Sequence, residues 1–71
     1  MNTKFKGLIH AKLYSLSEDP NYILRHKIIT LAEETYEDDT INAGFILRKG
    51  TEDSNYVVRM RTKKAMDKLG L

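Results

Sequence analysis

Few side chains in this chain could do chemistry, and their spacing limits what that chemistry is. His10 and His26 lie far apart, and neither belongs to a His-x-x-x-His or His-Glu-x-x-His pair that would seat zinc. Cysteine is absent, which removes disulfides, thiolate nucleophiles and Cys-containing zinc sites. Glu33 and Glu37 stand one helical turn apart and could share a divalent cation, but paired carboxylates are commonplace on helices. Residues 38–44 look superficially like a calcium loop, yet the glycine and the closing bidentate glutamate are out of register. Lys49-Gly50-Thr51 lacks the earlier glycine of a phosphate loop, and Ser15, Ser17 and Ser54 have no nucleophile elbow or recognisable partner. The expectation is a non-enzymatic protein with no catalytic residues, no metal and no cofactor.

What remains is charge. The formal net charge of +2 hides a division along the chain. Residues 1–16 carry Lys4, Lys6 and Lys12 without an acid; residues 30–40 carry Glu33, Glu34, Glu37, Asp38 and Asp39 without a base. Residues 59–68 carry Arg59, Arg61, Lys63, Lys64 and Lys68 against Asp67 alone. Such blocks create local fields even where the total is small.

Arg48, Arg59, Arg61, Lys63 and Lys64 are therefore candidates for contact with nucleic acid or an acidic partner, since guanidinium forks match phosphate and carboxylate oxygens. Glu33, Glu34, Glu37, Asp38 and Asp39 are candidates for a basic partner, including a groove that ordinarily holds nucleic acid. The divided charge is unlike a dedicated basic binder, and Tyr14, Tyr22, Tyr36 and Tyr56 are scattered where a stacking platform would cluster them. The reading favoured is a small regulatory protein (inhibitor, adaptor or modulator) that docks on a larger protein. The alternative is a DNA- or RNA-binding regulator that uses the basic face.

These residues must be held by elements, and alternation in residues 45–60 predicts a β-hairpin. Pairing Phe45 with Met60, Leu47 with Val58 and Lys49 with Tyr56 makes one side of the ribbon nearly all apolar. The other side then carries Ile46, Arg48, Val57, Arg59 and Arg61, and residues 49–55 supply a polar turn. Residues 20–36 predict a helix, with Asp19 as cap, Pro20 at its first position, and a stripe of Leu24, Ile28, Leu31, Ala32 and Thr35. Residues 4–16 fit either period; Gly7 and the need of a hairpin for a third strand tip them toward strand. Residues 63–69 predict a short helix, with Ala65, Met66 and Leu69 inward and Gly70 ending it. A rival arrangement makes residues 51–69 one helix capped by Thr51, at the cost of spreading Tyr56, Val57, Val58 and Met60 around the cylinder.

The expected fold is thus a single α+β domain, a three-stranded antiparallel sheet with one long helix packed on it. The alternatives are helix–helix–hairpin, with a winged-helix outline, and all-α. Seventy-one residues bury only about 60% of their unfolded surface, so either a homo-oligomer that completes the core or a stable monomer fits. No apolar run approaches the roughly 20 residues of a membrane span, and the polar residues Met1-Asn2-Thr3-Lys4 lack a signal-peptide core. A cytoplasmic protein without membrane contact is expected. No repeat and no family signature is present.

Overall fold

Three short polar side chains decide where the helices begin. Asn21 accepts from the Ile23 N–H, Asp39 from the Asn42 N–H and Asn55 from the Val57 N–H, each supplying an acceptor to a helix start that lacks one. The computed structural model describes the backbone of residues 3–71 and the side chains of residues 8–71. Along the chain run α1 (Thr3–Leu16), α2 (Tyr22–Glu34), a single 3₁₀ turn (Tyr36–Asp38), α3 (Thr40–Gly50) and α4 (Tyr56–Leu69). Gly70, at φ 76°, closes α4 in the left-handed conformation that glycine adopts without penalty.

The α+β expectation is overturned: among the described residues there is no strand, and the all-α alternative fits. Residues 4–16 lie in α1 and form no strand. The predicted hairpin is instead the end of α3, a loop, and the start of α4. Its alternating pattern coexists with a helical one: Ala43, Ile46, Leu47 and Gly50 are buried along α3, and Val58, Thr62 and Ala65 along α4. Of the three residues expected to point inward from the second strand, only Val58 does; Tyr56 and Met60 are exposed. The short helix expected at 63–69 is the second half of α4, and the helix cap is Asn55, not Thr51. In α2 the cap is Asn21, one residue beyond Pro20, while the Asp19 carboxylate accepts from the Asn21 N–H.

One apolar core joins Leu13, Ile28, Ile29, Ala32, Ala43, Ile46, Leu47, Val58 and Ala65, and α2 lies against the other three helices. The bundle measures 35 × 27 × 14 Å between Cα atoms, so it is thin, and most helices keep an apolar flank in solvent. Helices α1 and α3 run side by side in the same direction: His10 Nε2 lies 3.0 Å from Thr35 Oγ1 just ahead of α3, and Lys49 at its end reaches Ser17 Oγ at 3.4 Å. None of the helices among the described residues is long and apolar enough to cross a membrane. The side chains of Lys4 and Lys6 lie outside the described residues.

Candidate docking surfaces

Helix α4 is held in place by the loop in front of it. Arg25, from α2, binds the Asp53 carboxylate with two bonds, Nε to Oδ2 at 2.8 Å and Nη2 to Oδ1 at 3.0 Å. Its Nη1 donates to the carbonyls of Asp19 and Pro20, so one guanidinium ties two loops to α2. Asp53 Oδ1 also accepts from the Asn55 N–H at 2.8 Å, and Arg59 Nη1 donates to the Asp53 carbonyl at 2.7 Å. The hydrogen bonds from Arg25 hold the Asp53 carboxyl below its ordinary range, and the same contact raises Arg25. The charged side chains lining the cleft beside Arg25 include two ion pairs, Arg25–Asp53 and Lys49–Glu18, the latter at 3.6 Å.

The five basic candidates do not form one face. Arg61 points toward α2 and donates to Glu33 at 2.9 Å, where both side chains are mostly buried. Arg59 is half-buried, spent on the Asp53 carbonyl and leaning 5.9 Å over the Tyr56 ring. Arg48 is exposed on α3, 5.1 Å from the Phe45 ring centre. Lys63 and Lys64 alone share the exposed side of α4. The hairpin face that would have gathered Arg48, Arg59 and Arg61 is thereby corrected, because helical rotation turns Arg59 and Arg61 away from each other.

The acidic candidates disperse as well. Glu33 pairs with Arg61 and with Lys68 at 3.5 Å, and the Arg61 hydrogen bond lowers its pKa. Asp39 caps α3, with Asn42 Nδ2 donating to it at 2.6 Å, and this contact lowers its pKa. Glu34, Glu37 and Asp38 remain on the surface. A row of five carboxylates facing one groove is not built.

Of the apolar side chains expected outside, Val57 is exposed and Ile46 is buried, whereas Tyr56 and Met60, expected inside, are exposed. Tyr56 (65% exposed), Val57 and Met60 (46%) stand on the outer side of α4, ahead of Lys63 and Lys64. Beside them Thr51, Met60, Lys63, Met66 and Leu71 line an open groove. A second flank carries Ile41 (69%) and Phe45 (47%) on α3, next to Ala11 and Tyr14 of α1. The sequence signal was the helical spacing of Tyr56, Met60, Lys63 and Asp67, which only a helix reading of residues 56–69 exposes. Among the described residues no group of three or more His, Asp or Glu could hold a metal ion. No protein-family model matches the chain, and no curated protein and no solved structure is significantly similar to it.

Proposed function

We propose that this is a non-enzymatic docking protein whose outer α4 face fills a groove on a larger protein. The observation that carries the reading is the order of side chains on that face: Tyr56, Val57 and Met60 in the first turns, then Lys63 and Lys64. Aromatic and methionine side chains are enriched at interface centres, and lysines suit a solvated rim. An amphipathic helix presented this way matches the helix-in-groove mode, in which apolar residues three and four apart anchor, as Met60 stands to Val57 and Tyr56, and charges steer. The partner it fits has an apolar groove with a carboxylate-bearing edge. The loop ion pair at Arg25–Asp53 supports the reading by fixing α4 before binding, which spares part of the ordering cost.

The test is site-specific photocrosslinking in the source cell from a diazirine residue at position 60, with a matching probe at position 34 as control. Protein adducts unique to position 60, lost when Val57→Asp is added, are the expected result. Adducts to nucleic acid from the same position would transfer the face to the nucleic-acid reading. In that case Lys63→Ala with Lys64→Ala reduces the slope of log affinity against log salt by about two for a duplex, or somewhat less for a single strand.

A further inference from the structure

The scattered tyrosines make no stacking platform by themselves, but the fold assembles one between two helices. Tyr14 of α1 (42% exposed) and Phe45 of α3 (47%) line one open groove of about 450 Å³, together with Ala11 and Asn42. That volume lies within the range of small-ligand sites. Each ring carries its own cation: Lys49 Nζ lies 4.9 Å from the centre of Tyr14, and Arg48 Cζ 5.1 Å from that of Phe45. Arg48 is exposed and has no carboxylate paired with it among the described residues. Lys49 reaches Ser17 Oγ at 3.4 Å and the exposed Glu18 at 3.6 Å, long contacts that an anion can displace. At the other end of α3, Asp39 is committed to Asn42, accepting from its N–H and from its Nδ2, and Glu37 and Asp38 are exposed.

We propose that this groove binds single-stranded nucleic acid, with bases laid on Tyr14 and Phe45 and backbone phosphates on Lys49 and Arg48. A single strand repeats a flat base and a phosphate at each nucleotide, and the groove repeats a ring and a cation. An acidic peptide would engage the cations and leave both rings without a flat partner. A duplex hides its base faces in its own stack, so the rings favour the unpaired strand. The guanidinium fork of Arg48 fits phosphate oxygens, and Asn42 Oδ1 is left to accept from a base N–H. Glu37, Asp38 and Asp39, at the start of α3, repel the strand's backbone and direct its phosphates toward the cations at the helix end. The groove shares no residue with the outer α4 face and does not depend on the docking assigned to that face.

Fluorescence anisotropy of a labelled oligothymidylate of about twelve nucleotides, titrated with the full chain, tests it. A dissociation constant on the order of 1–100 μM is expected at physiological salt, the range of contacts led by phosphate. Oligouridylate should bind comparably, because rings and cations address bases and phosphates and not the sugar. The same strand annealed to its complement should bind more weakly. Tyr14→Leu and Phe45→Leu are each expected to weaken binding about fivefold or more while circular dichroism stays helical, since both side chains lie largely outside the core. Arg48→Ala should reduce the slope of log affinity against log salt by about 0.7, and Lys27→Ala, an equal loss of charge on α2, should leave it unchanged. No binding at about 1 mM protein overturns the proposal. So does indifference to both leucine variants, an equal hold on the duplex, or an oligoglutamate of the same length bound as tightly as the strand. None of these outcomes alters the crosslinking from position 60, so the two readings fail separately.

Discussion

Two glycines on one helix separate what a missing side chain can do. Gly50 ends α3 where it crosses α4: an added Cβ would press on Thr62 Oγ1 and stand 2.8 Å from Ile29 Cδ1. All three residues are buried, so neither neighbour has room to withdraw. Gly50→Ala is expected to lower stability by about 1–3 kcal/mol in urea denaturation. Gly44→Ala, on the open side of the same helix, should raise it by about 0.5–1 kcal/mol through helix propensity alone. Equal effects at the two positions would refute the packing assigned to Gly50. His10 makes a similar point about polar groups. It is buried, and because the Thr35 hydroxyl gives its own proton to the Leu31 carbonyl at 2.7 Å, Nε2–H donates to Thr35 Oγ1. A histidine whose spacing promised no chemistry is a packed residue joining α1 to the end of α2.

At the scale of elements, the loop at residues 51–55 matters most. The polar residues that read as hairpin turn chemistry are equally those of a helix start, since Asp, Ser and Asn serve both by accepting from nearby backbone N–H groups. Asp53 and Asn55 act in series: the first accepts from the Asn55 N–H, the second from Val57 and Val58. Asn55→Ala is expected to cost about 1 kcal/mol. Asp53→Ala should cost more, about 2–3 kcal/mol, because it also leaves the mostly buried Arg25 guanidinium without its carboxylate. Hydrogen exchange at the Val57 and Val58 amides is the measurement. Both substitutions should speed it, and an unchanged rate in the Asp53 variant would show that the loop does not hold α4.

For the molecule as a whole, three carboxylates link stability to acid. Glu33, through its bond from Arg61, Asp39, through Asn42, and Asp53, through Arg25, are each held below the ordinary range. A carboxyl with a lower pKa folded than unfolded contributes stability above its unfolded value, about 4, and loses it as pH falls through the folded value. The thermal unfolding temperature should therefore fall progressively below about pH 4. Asp53→Asn, less stable at pH 6, should lose less than wild type on acidification; parallel acid limbs for the two proteins would contradict this origin. The charge blocks along the chain thus act more through internal pairing than as undivided surfaces. Glu33 belongs to the acidic block and Arg61 to the basic one, and the fold brings the two into contact.

Much that is local could be read from the residue order alone: a helix within residues 20–36, though not its ends at 22 and 34 or its cap at Asn21, Gly70 as the stop of the last helix, and the inward placement of Ala65, Met66 and Leu69. These depend on neighbours within a turn or two, which a linear chain displays. The choice between hairpin and helix pair at 45–60 could not be made that way, because its apolar residues satisfy both periods. It is resolved by contacts distant in sequence, Gly50 on Thr62 and Ile29, Arg25 on Asp53, and Arg61 on Glu33. Long-range packing also set which charges were consumed and which apolar side chains were left outside. The surfaces offered for docking are what remained after the core and the ion pairs had taken their members.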